Sequence, residues 1–339
     1  SEGTGLASSQ ALAQACANLL IVTNHVGRPN NGLLGVWQRP NDQGAWDMGF
    51  RPVGDLNVKM RQASALYVVA ADPAGDDPAL AEAGNFLVVQ DLFLTSTAKL
   101  ADVVLPVQAF SEREGSYTSG ERRVQRFYPA VPEPAESLAD FAIVAKIGRL
   151  LELDLEERSA ARVMERLSAE IPDYGGISYQ RLAEVKEQWP IVGRGDLYYG
   201  GTTYENSQGL GVQLQTAAQR GESVALGWVE PVEYDLPPGG FLAFPVTRLY
   251  DRGTTLLPSA LLHQRIPMPY IAMNPNDARR VHILPGATAQ IAVNDIAMMV
   301  SVDVDENVPA HVVLVPRSLG IPLLGPAPIE VRAIERAAA

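Results

Sequence analysis

Residues 88–126 read VVQDLFLTSTAKLADVVLPVQAFSEREGSYTSGERRVQR, and the rest of the chain is organised around them. The run Asn85–Asp91 is apolar until it ends in Gln90 and Asp91. Strands covered on both faces, as in parallel sheets, read this way. Ligands in open α/β sheets collect outside the carboxyl ends of the strands. Gln90 and Asp91 therefore stand where a ligand would be met. Thr95 and Thr97 precede a short helical segment, Ala98–Ala101, and Asp102–Pro106 predicts a second strand. A loop dense in side-chain donors and acceptors follows, with Glu112, Glu114, Ser116, Thr118, Ser119, Glu121, Arg122, Arg123 and Gln125. The same residues also suit a plain solvated loop with scattered charges.

Upstream, Ala65–Ala71 predicts a buried strand that ends at Asp72-Pro73, and Ala79–Ala83 a helix leading back to Phe86. Strand, helix and strand in that order make a βαβ unit with a parallel sheet and a right-handed crossover. Asp72 follows its strand directly, although an Asp-Pro turn needs no ligand. Near the start, Ser8–Val22 carries an apolar stripe (Leu12, Ala15, Cys16, Leu19, Leu20) at helical spacing. Ser8 or Ser9 can cap this helix, Gly27 suits its end, and His25 reads as a capping or surface residue. Downstream, residues 128–135 form a proline-rich connector. Helices are expected over Asp140–Leu155, Ser159–Ile171 and Gln180–Gln188.

Residues 193–240 are glycine-rich and weakly periodic, as in a surface excursion or a linker. From Phe241 the pattern changes to short strands with Pro or Gly at the joins: Phe241–Leu249, Tyr270–Met273, Thr288–Val293, Ala297–Val304 and Val312–Val315. Asn274 and Asp277 open a short helix, Gly286 makes a turn, and His282 reads as surface.

With 339 residues the chain can hold two or three domains, and 47% hydrophobic composition can fill a sizeable core. The net charge of −12 and the lack of a basic stripe exclude nucleic acid as a partner. The single cysteine, Cys16, is expected to be a buried thiol, consistent with a reducing cytoplasm. One cysteine leaves no internal disulfide and no four-cysteine iron–sulfur or zinc site within this chain. No apolar run reaches about 18 residues, so no direct membrane insertion is expected. The opening Ser1-Glu-Gly-Thr, with no initiator Met and no signal peptide, suggests a processed product or a fragment.

Two long motifs, Val88–Pro106 and Glu114–Gln125, resemble the molybdopterin oxidoreductase family, which includes formate dehydrogenases and the large iron–sulfur subunit of NADH:quinone oxidoreductase (complex I). Asn41, Gln43, Gly44, Ala45, Asp47, Met48 and Gly49 fall on a further family block. The stretch Met273–Gly286 resembles the family's C-terminal dinucleotide-binding barrel. Trp37 and Arg39 depart from the family, standing where its molybdenum enzymes place an arginine and a catalytic glutamine. Thr247–Leu256 departs as well, lacking the turn that binds the cofactor's phosphates.

The resemblance implies an α/β, doubly wound parallel-sheet domain over residues 1–192, a linker over 193–240, and a double-psi β-barrel over 241–335. It implies cofactor contacts at Asp91, Thr95, Thr97, Glu114, Thr118, Glu121, Arg122, Arg123, Asn274 and Asp277, and no metal ligand or catalytic residue in the chain. Two departures favour one reading: the C-terminal part of the complex I subunit, a structural module with no cofactor of its own. Its iron–sulfur clusters would lie upstream in the parent chain. Other subunits of a respiratory or dehydrogenase complex are then its partners, on the cytoplasmic face of the cell membrane. The alternative is part of a molybdenum or tungsten bis-pterin enzyme such as a formate dehydrogenase, holding molybdopterin guanine dinucleotide. An unrelated α/β binding protein is the third reading. In the first case a charge network Glu114–Arg122–Glu121–Arg123 would pin the loop.

Overall fold

The computed structural model describes residues 7–26, 31–37, 39–51, 56–76, 84, 86–156, 158–183, 211–217, 219–231, 236, 239–293, 296–323 and 325–334. The predicted helix Ala79–Ala83, the turn at Gly27, the second half of the predicted helix Gln180–Gln188 and all of 184–210 lie outside these residues. The chain divides into two compact units. One contains Ser9–Gly54 and Leu105–Glu230, the other Asp55–Val104 and Pro231–Ala339.

In the first unit, helix α1 spans Ala7–Val22. It stops at Asn24, whose φ of 57° lets the His25 N–H reach back to the Leu20 carbonyl at 2.8 Å. That is a left-handed helix stop of the kind Gly or Asn provides, three residues before the glycine expected to do it. Cys16 is only half-buried, not a core thiol. Helix α2 is short, Asp42–Asp47. In the second unit, helix α3 (Leu56–Gln62) leads into strand β1 (Ala65–Val69), and helix α4 (Pro73–Asp76) follows the strand. Strand β2 (Phe86–Asp91) pairs parallel with β1, Tyr67 opposite Val88 and Val69 opposite Gln90. Strand β3 (Val103–Pro106) completes a sheet in the order β1-β2-β3.

The loop predicted after Pro106 is instead a hairpin. Strands β4 (Gly115–Thr118) and β5 (Arg123–Phe127) pair antiparallel with Tyr117 opposite Gln125. Its polar composition concealed the alternation, because Ser116, Thr118, Arg123, Gln125 and Arg126 make up most of the two strands. Gly115 is required there, since a Cβ would lie 2.6 Å from the Phe127 ring. Helix α5 covers Asp140–Leu150 and helix α6 Ala160–Glu170, with the Ser159 hydroxyl accepting from the Arg162 N–H. Helix α7 is one turn, Tyr179–Leu182, started by Ser178. Strand β6 (Val212–Gln213) returns to the hairpin and pairs with β5. Val124, Met164, Tyr174, Ile177, Leu182 and Leu214 make this unit's buried core.

The remaining strands are β7 (Phe241–Val246), β8 (Tyr270–Met273), β9 (Thr288–Val293), β10 (Ile296–Val304), β11 (Val312–Pro316) and β12 (Ala327–Ala333). They close into a six-stranded barrel in the order β10-β8-β11-β7-β12-β9. Alternating positions of each strand fill it, among them Phe241, Ile271, Met273, Ile291, Val302 and Val313, all fully buried. Each such side chain contributes about 1.5–3 kcal/mol of burial. Helix α8 (Pro275–Arg280) crosses between β8 and β9. The fold is mixed α/β with a closed barrel. Among the described residues no helix is long and apolar enough to cross a membrane.

Candidate functional site

At the carboxyl end of β2, Gln90 is 1% and Asp91 5% exposed. The Gln90 amide oxygen accepts from the Tyr67 hydroxyl on the neighbouring strand. Asp91 Oδ1 accepts from the Leu92 N–H at 2.6 Å. Asp91 Oδ2 is buried and has no hydrogen-bond partner. Burial pushes the Asp91 carboxyl above the usual carboxylate range, and the charge of Asp72 adds to the rise against two backbone N–H groups. An unpartnered buried acceptor costs about 1–3 kcal/mol, so Asp91 is an acceptor lacking its donor.

Thr95 and Thr97 stand close by, but their hydroxyls are engaged. Thr95 Oγ1 accepts from the Ala98 N–H at 3.1 Å and starts a one-turn helix, Ala98–Leu100. The Thr97 hydroxyl donates to Asp72 Oδ1 at 2.7 Å and accepts from the Ala74 N–H at 3.0 Å.

The hairpin residues form a second cluster, in the first unit. Arg122 sits in the left-handed region, φ 62°, at the turn between β4 and β5. Its guanidinium pairs with Asp173 at 2.6 Å and lies 3.8 Å from Asp47. Asp173 also meets Arg220 at 3.3 Å. Glu114 pairs with Arg126 at 2.8 Å, and Glu121 with the buried Arg123 at 3.2 Å. The expected Glu114–Arg122–Glu121–Arg123 chain is thus replaced by three separate pairings. Two of them use acids and bases from outside the loop. The Thr118 N–H donates to Asn41 Oδ1 at 2.9 Å, and its hydroxyl meets the Tyr174 hydroxyl at 2.7 Å. Tyr174 in turn donates to Asp47. Burial pushes the Tyr174 hydroxyl up to about 12, which keeps it a donor. Sequence reasoning missed Asp173, Tyr174, Arg126 and Arg220. The Asp173 and Tyr174 contacts span more than fifty residues, and no local spacing announces them.

In the barrel, Asn274 caps helix α8 through the Asn276 N–H and donates to the Val308 carbonyl. Asp277 accepts from the His311 N–H at 2.6 Å and pairs with Arg280 at 3.2 Å. Both are fastened within the barrel.

The two departing residues are local. The Trp37 ring N–H donates to Gln43, and the ring lies 6.1 Å from that of Trp46. Arg39 is exposed, and its backbone N–H caps onto Asp42. No group of three or more His, Cys, Asp or Glu residues suited to a metal exists among the described residues.

Residues 4–150 match the molybdopterin oxidoreductase family. The chain is similar to the F420-dependent formate dehydrogenase 2 subunit alpha of Methanococcus maripaludis, 34% identical over 52% of this chain and 32% of that one. It is similar to the F420-dependent formate dehydrogenase subunit alpha of Methanocaldococcus jannaschii, 29% identical over 89% of this chain and 50% of that one. A putative formate dehydrogenase of Staphylococcus aureus is 31% identical over 57% of this chain and 24% of its own length. The chain spans at most about half the length of these relatives. Acetylene hydratase from Pelobacter acetylenicus superposes with a TM-score of 0.48 at 14% identity, over 76% of this chain and 38% of that one, a likeness too slight to build on.

These relatives overturn the complex I reading and the NADH dehydrogenase and quinone roles that went with it, because their names are those of formate dehydrogenases. Trp37 and Arg39 had pointed to complex I. The structure gives Trp37 a packing role and leaves Arg39 at the surface, so neither departure discriminates.

Proposed function

We propose, from the premise that residues 4–150 belong to the molybdopterin oxidoreductase family, that this chain is part of a formate dehydrogenase-type enzyme holding a pterin guanine dinucleotide. The observation that carries this reading is Asp91. A buried carboxylate oxygen without a donor, at the end of a parallel strand, fits the N–H groups of a guanine or pterin edge. When bound, the group supplies a molybdenum or tungsten centre that takes electrons from the substrate.

The chain's own contribution is to bind and orient. Asp91 accepts from the ligand through Oδ2, as a carboxylate. The hydrophobic packing of β2 keeps water from that oxygen, which strengthens the ionic hydrogen bond it makes. The other predicted contacts, Thr95, Thr97, Thr118, Arg122, Asn274 and Asp277, serve through the scaffold in which their polar atoms are engaged. Relatives named as alpha subunits support further subunits as partners.

The test is formate-dependent reduction of a viologen dye by the protein purified from its host. Dye reduction that requires formate is the expected result. A preparation that contains molybdenum or tungsten and pterin yet ignores formate overturns the substrate assignment.

A further inference from the structure

Two strand-end carboxylates, Asp72 after β1 and Asp91 ending β2, face the same loop, yet their states differ. Asp72 is saturated. Its Oδ1 accepts the Thr97 N–H at 2.8 Å and the Thr97 hydroxyl at 2.7 Å, and its Oδ2 accepts the Ser96 N–H at 3.4 Å. Thr97 Oγ1 closes the ring by accepting the Ala74 N–H from the turn that follows β1. Gly75 makes room for this carboxylate, because a Cβ there would lie 2.2 Å from Asp72 Oδ2. Asp91 keeps one oxygen open. Thr97 is 3% exposed and Asp72 is half-buried, so the threonine end of this fastening is the one shielded from water.

The consequence follows from the chain path. Asp91 is joined to Thr95 by three residues, Leu92 to Leu94, with Phe93 and Leu94 exposed. Beyond them the loop is tied to β1 by the Asp72–Thr97 ring and to its own helical turn by Thr95. Fixing the far end of so short a segment fixes the direction of the Asp91 carboxyl, whose other oxygen is already held by the Leu92 N–H. Hydrogen bonds to an ionised carboxylate are the strong class, and three of them converge on Asp72.

We propose that Asp72 and Thr97 form a clamp that positions Asp91 for a ligand N–H, and that neither is itself a ligand contact. This rests on the cofactor reading above and adds to it. The site recognises its ligand through one carboxylate, and the second carboxylate of the pair is a positioning residue. Ligands that present an N–H edge, such as guanine, are selected. Those that present only acceptors are refused, because they leave Asp91 Oδ2 unpaired.

The test uses Thr97→Val, Thr97→Ser, Asp72→Asn and Asp91→Asn in the full chain, with GMP as the probe. Two readouts are taken, the GMP dissociation constant and amide hydrogen exchange over residues 92–100. Thr97→Val is expected to speed exchange there and weaken GMP binding about tenfold, the loss of one ionic hydrogen bond. Thr97→Ser, which keeps the hydroxyl, restores both. Asp91→Asn abolishes binding and leaves exchange unchanged. Thr97→Val binding GMP as the parent does overturns the clamp, as does Thr97→Ser behaving like Thr97→Val. A parent protein that does not bind GMP while its exchange responds to Thr97→Val overturns the cofactor reading at Asp91, and the positioning role falls with it. If Asp72→Asn fails to fold, the two Thr97 variants decide the matter alone.

Discussion

The β2 end and the β4–β5 hairpin are both rich in charged and hydroxyl side chains, yet they are put together differently. At the hairpin every one of these charges has a counter-charge, Arg122 with Asp173, Arg126 with Glu114 and Arg123 with Glu121, although the buried Arg126 Nε itself makes no hydrogen bond. At the strand end one carboxylate has a partner at each oxygen and its neighbour keeps a buried oxygen with none. The hairpin's unpartnered atom is a donor on an arginine already ion-paired to Glu114, whereas the strand end's is an acceptor on a carboxyl with no ion pair, which is the one a ligand N–H would complete. Counting polar residues does not separate the two; counting their partners does.

Substitutions at four positions can break or sharpen that contrast. The largest effect is expected from Gly120→Ala, whose Cβ would sit 2.3 Å from the Gly35 carbonyl oxygen. Backbone cannot yield as a side chain can, and chemical denaturation should show a loss of about 2–3 kcal/mol. Next comes Tyr174→Phe. It strips the Thr118 hydroxyl and Asp47 of a shared partner inside the core, and the same denaturation experiment should show about 1–2 kcal/mol lost. Third, Arg122→Ala should cost about 1 kcal/mol in thermal unfolding, and Arg122→Gly less, because glycine relieves the left-handed backbone. Equal losses for both variants would show that the backbone there is not strained.

The smallest effect belongs to Asp91→Asn, and it differs in kind. A carboxyl whose folded pKa is raised adds stability while protonated, and that contribution is lost as pH rises from the ordinary carboxylate range through the raised value. Thermal unfolding of the protein without ligand should therefore decline over that range in the parent and flatten in Asp91→Asn. Near neutral pH the variant should be no less stable than the parent. A substantial loss of stability there would mean that the Asp91 carboxylate is structural.

Much of the fold was legible because period and packing agree. Strands Tyr270–Met273 and Thr288–Val293 appear with the ends the sequence predicts, since Pro and Gly punctuate them. Helix α6 begins where Ser159 caps it. The hairpin was not legible, because Ser116, Arg123 and Arg126 are polar and its apolar residues Val124 and Phe127, three apart on opposite faces, leave no period-two pattern. Strand β12 was missed for a similar reason, with Pro328, Glu330 and Arg332 alternating against Ile329 and Val331. At the site, Asp91 was legible from its place at the end of an apolar run. That Thr97 belongs to Asp72 was not, since the contact spans 25 residues and depends on how two strands register.

The most direct test of the account is the molybdenum, tungsten and pterin content of the protein purified from its host, compared between the parent and Asp91→Asn. The account predicts metal and pterin in stoichiometric amount in the parent and their loss in the variant, whose unfolding temperature near neutral pH is no lower than that of the parent stripped of its ligand. Full content in Asp91→Asn, or none in the parent, would contradict it.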